Sequence, residues 1–301
     1  MHTIALVTVL YKSEKVLEGF FRSLSLQSFQ DYHLFLIDNS PSPACTALIH
    51  DFSLRYPISG FTHVENKENV GVAAGNNQGI KRSMEMGFTH SLLLNNDIEF
   101  HQPHLLQAMY DHAIQHHEMM IIPKIFYFDS RKIWMAGGWI RSQRGIVYHV
   151  GDGKEDGPEF NQPRYFTYAP TCFMLINNQV FQSVGLMDEK YFVYYDDTDF
   201  VYRASLRDYR ILYLPTLQVL HKVSSSTGGG ESTVSIYFNT RNRIYFLRKN
   251  FGVIKRITPM VYTLVTRLIR YFLYNREQRR KLMEGIRDGF AMKVEMSTQR
   301  P

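Results

Sequence analysis

Apolar residues along this chain follow two alternating rhythms. Short, near-continuous runs at Thr3–Leu10 (TIALVTVL), His33–Ile37, Gly60–Val64 and Thr89–Leu94 each give way to polar residues. Runs of that length, bounded by polar clusters, read as strands buried on both faces. Between them the spacing turns helical. Val16, Leu17, Phe20, Phe21 and Leu24 share one side of Glu14–Leu26, with Ser13 placed as an N-cap. Residues 43–56 and the stretch from Asn69 to about Met86 read the same way. Strand alternating with helix predicts an α/β fold, a mostly parallel sheet flanked by helices.

The rhythm changes after residue 103. Pro103–His117 reads as a helix and Met119–Phe128 as a strand carrying a proline. Residues 129–169, rich in glycine and aromatics, read as hairpins and loops that build the second half of a cleft. Thr171–Ile176 is a further strand, and Asn178–Gly185 a short helix closed by a glycine. A helix starts near Asp197. Ile211–Leu214 and Leu217–Leu220 read as two short strands broken by Pro215, the second ending at His221. From about Glu231 the chain reads as helical. The expected division is an α/β body over residues 1–230 and a basic amphipathic helical region over 231–301.

Charge sharpens that division. The net charge of +6 splits into +11 for residues 237–301 (15 Lys and Arg, 4 acids) and −5 for the rest (19 against 24). Val253–Tyr274 mixes Ile, Leu, Val and Tyr with Lys255, Arg256, Arg267 and Arg270. Such a helix lies on an anionic membrane surface more readily than it spans one; the alternative is a helix packed on the body with solvated arginines. No window supplies the ~18 uncharged apolar residues of a spanning helix. No nucleic-acid motif accompanies the basic residues, so nucleic acid is not an expected partner. The start of the chain lacks signal-peptide features. Cys45 and Cys172 form neither a metal pattern nor a disulfide framework. The expected location is cytoplasmic, peripheral on the inner face of the cell membrane.

In open α/β sheets ligands sit just outside the carboxyl ends of the strands. Three loops fall there: Tyr11-Lys12, Asp38-Asn39-Ser40 and Asn95-Asn96-Asp97. No GxGxxG follows the first strand and no GxxxxGK[ST] occurs, which excludes the Rossmann and P-loop sites. Asn95 and Asp97, one residue apart at a strand end, suit a hard divalent cation held together with phosphate oxygens; a turn built on local Asn and Asp hydrogen bonds is the alternative. NVGVAAGNNQG (Asn69–Gly79) lets a helix start close to a ligand or to another backbone, and its N-terminus favours phosphate. Close helix packing explains it equally well. Asp196, Asp197 and Asp199 follow the aromatic run Tyr191–Tyr195. Helix capping accounts for one or two of them. A carboxylate walled by aromatics also suits a general base. His221, at a strand end, can complete a metal shell. Trp134 and Trp139 can stack on a sugar or base, and Ser224–Gly230 forms a glycine-rich loop able to close on a ligand.

In this order and spacing, the motifs resemble the family 2 glycosyltransferases with a GT-A fold, especially the bacterial rhamnosyltransferase-like and galactofuranosyltransferase-like members. The resemblance spans essentially the whole chain. It implies a nucleotide-diphospho-sugar transferase fold with a helical C-terminal extension. Donor-binding positions would be Thr8, Leu10, Tyr11, Asp38, Asn69, Gly75, Asn76, Asn95 and Asn96. Asp97 and His221 would hold a divalent metal, Mg or Mn. Asp197, second of the acidic pair with Asp196, would be the catalytic base, with Asp199, Arg203 and Trp139 on the acceptor side. Three positions depart from the family pattern. Lys12 stands where an asparagine is commoner, Asn95 replaces the first acid of an Asp-x-Asp motif, and Pro170-Thr171 replaces Gly-Ala. Arg241–Arg243 (RNR) and Ile286–Gly289 (IRDG) are similar to the tail of the rhamnosyltransferase-like branch.

The implied activity is inverting transfer from dTDP-rhamnose or a UDP-sugar to a hydroxyl of a saccharide or lipid-linked saccharide in cell-surface polysaccharide synthesis. The tail would contact the membrane or mediate a homodimer. Two rivals are weighed. A nucleotidyltransferase would carry a glycine-rich basic loop after the first strand, and TVLYKSEK has no glycine. A non-catalytic, membrane-associated nucleotide-sugar-binding module would exploit Asn95, but retention of Asp97, Asp197 and His221 argues against it.

Overall fold

The apolar runs assemble into a ten-stranded mixed sheet. The computed structural model describes residues 3–223 and 231–294; the Ser224–Gly230 loop lies outside them. The first half winds β1 (Ile4–Leu10), α1 (Leu17–Ser25), β2 (Tyr32–Asp38), α2 (Pro43–Arg55), β3 (Phe61–Glu65), α3 (Gly71–Glu85) and β4 (His90–Leu94). β1 pairs in parallel with β2 and β4, and β2 with β3. The register puts Leu10 opposite Asp38 and Asp38 opposite Glu65, so these strands end along one edge. β1, β2 and β4 are buried almost throughout, as their unbroken hydrophobicity predicts. Ser13 does not cap α1, which starts four residues later; its hydroxyl accepts from Tyr11 N and Asn96 Nδ2 in the strand-end loops instead.

The second half contributes β5 (Ile98–Glu99), α4 (Leu105–His116), β6 (Met120–Tyr127), β7 (Ile133–Met135), β8 (Gly138–Arg141), β9 (Ile146–His149), β10 (Arg164–Phe166), β11 (Phe173–Asn177), α5 (Asn178–Val184), α6 (Asp196–Ser205) and β12 (Ile211–His221). The sheet order is β10-β12-β6-β11-β4-β1-β2-β3, with β5 added to the end of β12 and β7 to β6. β11 runs antiparallel between β4 and β6. β8 and β9 form a separate hairpin. One expectation is corrected here. Ile211–His221 is a single strand, and Pro215 sits in a register shift between Leu214 and Gln218. A proline cannot donate to the ladder, and the irregularity absorbs the missing hydrogen bond.

Three helices follow: α7 (Thr233–Asn250), α8 (Ile257–Leu273) and α9 (Arg276–Ala291). α9 lies close on α7 because Gly285 and Gly289 have no Cβ. A Cβ there would stand 2.8 Å from the Tyr237 carbonyl oxygen and 2.7 Å from that of Arg241. α8 is different: only Pro259 and Thr263 are buried.

Candidate active site

The site forms where strand-end loops meet α6. Asp38 closes β2 and is fully buried. Its Oδ1 accepts from the Ser40 backbone at 2.8 Å, and its Oδ2 lies 3.4 Å from His63 Nε2. Thr8 is buried one strand over, and its Oγ1 has no hydrogen-bond partner among the described residues. The loops brace one another. Lys12 N donates to Ser40 Oγ, Tyr11 N donates to Ser13 Oγ, and Asn96 Nδ2 donates to the same Ser13 oxygen. Leu10 is buried at the end of β1. Its carbonyl accepts from Asn39 N.

The glycine- and asparagine-rich motif opens α3, and most of its residues have packing partners. Asn69 Oδ1 accepts from Gly71 N at 3.0 Å. A Cβ on Gly75 would stand 2.8 Å from Val9, and one on Gly79 would collide with Val7, so α3 sits directly on β1. Asn76 Nδ2 reaches Met187 Sδ at 3.7 Å, and Asn77 exchanges two hydrogen bonds with the Met187 backbone. Gly71 has φ +85°, and a Cβ there would stand 2.6 Å from the Phe192 carbonyl. Only glycine lets this helix start touch the loop that leads to Asp196.

Asp97 and His221 meet because β5 pairs with the end of β12, placing His221 opposite Ile98. Asp97 Oδ1 lies 3.2 Å from His221 Nε2, and both residues are nearly buried. Asn95 is exposed, and its backbone N–H donates to Cys172 O. Trp134 meets the His221 ring edge-on at 4.6 Å and His149 at 4.8 Å; His149 stacks on Tyr168 at 5.7 Å. Tyr168 OH then reaches Asp197 Oδ2 at 3.4 Å. An aromatic wall thus runs from the Asp97–His221 pair to Asp197. Cys172 lies between the two ends. Burial, then Asp97, then Asp197 push its thiol well above the usual range. Burial holds His149 below the usual imidazole range, so it is neutral near pH 7.

One helical turn sorts the three aspartates into two kinds. Asp196 is buried, and burial followed by its neighbour Asp197 pushes its carboxyl up to about 8. Asp197 is only partly buried. Burial raises its pKa as well, against hydrogen bonds from Thr198 N, Thr198 Oγ1 and Tyr168. Asp199 is fully buried but shifts the other way. Burial alone would raise it; Arg203 and Lys249 overcome that and hold it below the usual carboxylate range. Asp199 accepts from Tyr191 OH, Arg203 Nε, Lys249 Nζ and Asn250 Nδ2 at 2.8–3.1 Å. Arg203 also donates to the carbonyls of Val184 and Leu186. Asp199 and Arg203 therefore tie α6 to α7 and to the loop before it. Trp139 packs on Phe166 at 5.0 Å beside Arg164, and Trp134 takes the place on the wall.

The loop carrying the acidic pair is strained. Phe192, Tyr194 and Tyr195 all have φ between +62° and +68°. Non-glycine residues stay in that region only where surroundings over-determine them. Here α7 supplies the surroundings. Asn242 Nδ2 donates to the carbonyls of Tyr191, Val193 and Tyr194 at 2.8–2.9 Å, and Arg241 Nη2 to those of Lys190 and Tyr191. Sequence reasoning noticed Arg241–Arg243 only as a motif. It missed His149, Tyr168 and Cys172, which carry no local signal and converge only in three dimensions.

A mixed sheet with an acid at the end of β4–β5, a second acidic cluster opening α6 and a histidine ending β12 defines a glycosyltransferase of the GT-A fold. A family model, Glycosyl transferase family 2, matches residues 5–185, and the chain belongs to that family. It is 25% identical to the low-salt glycan biosynthesis hexosyltransferase Agl10 of Haloferax volcanii over 287 residues, covering 94% of this chain and 87% of that protein. It is 22% identical over 215 residues to the dTDP-rhamnosyl transferase RfbF of Shigella flexneri, covering 65% of this chain and 67% of that one. Among solved structures, S. aureus TarS 1-349 superposes with a TM-score of 0.61 at 12% identity, covering 95% of this chain and 80% of that one. The mannosyltransferase PcManGT from Pyrobaculum calidifontis, solved with GDP-Man and Mn2+, superposes at 0.58 with 9% identity, covering 96% and 86%.

The Asp97–His221 pair fits a divalent cation of the kind seen in such relatives. A carboxylate and an imidazole 3.2 Å apart can share one ion, and Mg²⁺ or Mn²⁺ is commonly held by one or two protein groups together with substrate phosphates and water. Among the described residues no group of three or more His, Cys, Asp or Glu forms a complete protein cage.

Proposed function

We propose that this family 2 glycosyltransferase inverts the anomeric centre of a nucleoside diphosphate-sugar, dTDP-rhamnose or a UDP-sugar, as it transfers the sugar to an acceptor hydroxyl. The observation that supports this reading is the ring chain Trp134–His149–Tyr168, which runs from His221, 3.2 Å from Asp97, to the Tyr168 hydroxyl 3.4 Å from Asp197. Asp38, with Thr8, Leu10 and Tyr11 around it, holds the base and ribose. Asn69, Gly75 and Asn76 set the start of α3 beside the donor, and Asn95 and Asn96 shape the diphosphate side. Asp97 and His221 would hold Mg or Mn, which would supply charge neutralisation on the diphosphate.

Asp197 does the proton work. Its carboxylate takes the hydroxyl proton as the acceptor oxygen bonds to the anomeric carbon. The bond from that carbon to the diphosphate oxygen breaks, and the nucleoside diphosphate leaves with the electron pair. A diphosphate leaves without a proton, so one base suffices; a glycoside hydrolase would need a second carboxylic acid. The raised pKa makes Asp197 a stronger base than a solvated aspartate. The acceptor is a saccharide or lipid-linked saccharide of cell-surface polysaccharide synthesis. The enzyme works at the inner face of the cell membrane, resting on it through the C-terminal helices. Among the described residues no helix is long and apolar enough to cross a membrane.

Thermal unfolding against UDP, dTDP, GDP and CMP, each with and without Mn²⁺, tests the donor site. One nucleotide should raise Tm only with metal, by an amount equivalent to about 2.7 kcal/mol at ~100 times its dissociation constant. Asp197→Asn should keep that shift and lose transfer by at least ~10²-fold. Unchanged turnover in Asp197→Asn would remove Asp197 as the base.

A further inference from the structure

Near the loop that leads to the acidic pair lies a group of arginines, Arg144, Arg243 and Arg267, with no acidic partner among the described residues. Arg243, on α7, is 5% exposed, and its Nε has no hydrogen-bond partner among the described residues. Its one hydrogen bond runs from Nη2 to the Arg144 carbonyl, and its guanidinium sits 5.4 Å from the Tyr262 ring centroid. Arg267, on α8, has a buried Nε without a partner, and its guanidinium makes no hydrogen bond or ion pair with any described residue. Burial and Arg243 beside it hold Arg267 below the usual arginine range. Arg144 approaches the same Tyr262 ring, at 5.5 Å. Burying one unpaired charge costs several kcal/mol, and buried charges are ordinarily paired. Two neighbouring guanidiniums left without a carboxylate are the complement of an anion.

The location narrows the anion. Tyr195, the residue before Asp196, reaches the Gly145 carbonyl at 3.5 Å, beside the Arg144 carbonyl that Arg243 holds. The cluster therefore adjoins the loop that carries the proposed base. Along α8, Arg267 continues the body-facing line of Pro259 and Thr263, four residues apart. The other side of the helix shows Val261, Leu264, Val265, Leu268, Ile269 and Phe272, with Phe272 70% exposed. A long, unpartnered apolar stripe beside the buried Arg243 and the half-buried Arg267 matches a molecule with a hydrocarbon chain and a phosphate head.

We propose that Arg243 and Arg267, with Arg144 at the rim, bind the phosphate of an amphiphilic acceptor whose hydrocarbon chain lies along the exposed face of α8. The inference rests on the transferase reading and deepens its acceptor half. A phosphate held there presents the group attached to it toward Asp197. The cluster specifies acceptors by their lipid-phosphate end and leaves the donor to the opposite end of the aromatic wall.

Farnesyl phosphate is the probe, with inorganic phosphate (head alone) and farnesol (tail alone) as controls. Binding to the full-length chain is measured by calorimetry in EDTA without nucleotide, so that the metal-dependent donor site does not report. Farnesyl phosphate should bind at least about tenfold tighter than either control. Arg267→Gln should lose about tenfold or more, and Leu268→Ser/Phe272→Ser should fall to the affinity of inorganic phosphate. Asp97→Ala should abolish the metal-dependent nucleotide shift and leave farnesyl phosphate binding intact, which separates failure of this site from failure of the donor site. Arg243→Gln is the second guanidinium test, and Arg267→Gln decides if that variant does not fold. Full affinity in a folded arginine variant overturns the proposal. So does inorganic phosphate binding as tightly as farnesyl phosphate, or farnesol doing so.

Discussion

Asp196, Asp197 and Asp199 share one helical turn and one side-chain chemistry, yet their surroundings assign them different work. Asp199 is ionised and fixed by four donors. Asp196 pays for its buried place beside Asp197. With its carboxyl up at about 8 against 3.8 in a free chain, the native state keeps a proton that the unfolded chain releases between those values. The stability from this group is complete below about pH 4 and drains away as pH rises toward 8. Asp196→Asn keeps the shape and removes the titration. Its Tm should exceed that of the parent by roughly 2–6 °C at pH 8, and the gap should close near pH 4. Calorimetric scans of both proteins across that range check it, and a gap that grows toward low pH would show the sign to be wrong. Asp197 predicts a second pH effect. Transfer needs its carboxylate, so kcat/KM should climb with pH through an inflection above the ordinary carboxylate range. A profile flat from pH 4.5 to 8 would contradict that.

At the scale of elements, the loop before α6 is held from outside itself. Three of its non-glycine residues are left-handed, and Asn242, on α7, accounts for three of the hydrogen bonds that keep them so. Asn242→Ala removes two N–H protons shared among three carbonyls, about 2 kcal/mol in all. The released loop should let Asp197 drift, lowering kcat about 10–100-fold, while the nucleotide shift governed by Asp97 and His221 survives. Parallel loss of both would mean a collapsed fold. Asn242 also shows where sequence reading stops. The strands of the first half were legible because burial on both faces leaves an unbroken apolar run. The placement of Asp97 and His221 at strand ends and of Asp197 at a helix start was legible because such ends carry their own punctuation. The clamp was not, since Asn242 sits mid-helix with nothing local to mark it, and its partners are some fifty residues away in sequence. Asp199 and Arg203 were read with the acceptor side for the same reason: only the fold shows Lys249 and Asn250 arriving to hold Asp199. Likewise, Pro215 looked like a break between strands, and only the register shown by β6 makes it a bulge within one.

For the molecule as a whole, the division of charge becomes a division of surfaces. An acidic body carries the proposed donor site, and α7 stitches it to helices that are basic and, on the outer face of α8, uncovered. An exposed apolar stripe of this length on a lone chain normally meets a partner, a second copy or a lipid surface. Neighbouring Lys255, Arg256, Arg270 and Arg276 favour the anionic lipid surface, since two copies would face each other with like charge. The two occupants respond oppositely to salt. Membrane recruitment by basic residues weakens as the Debye length falls from about 10 Å at 0.1 M to 3 Å at 1 M, whereas dimerisation through a basic apolar face strengthens. Vesicles of phosphatidylcholine with 30 mol% phosphatidylglycerol should therefore retain the chain at 0.05 M salt and release most of it by 0.5 M. Pure phosphatidylcholine should retain little at either. Leu268→Glu/Phe272→Glu, on the outer face of α8 and away from every packing contact described for α7, should abolish retention with no change in the nucleotide shift. A chain that sediments as a dimer at high salt, and ignores both kinds of vesicle, would assign the stripe to a second copy of itself.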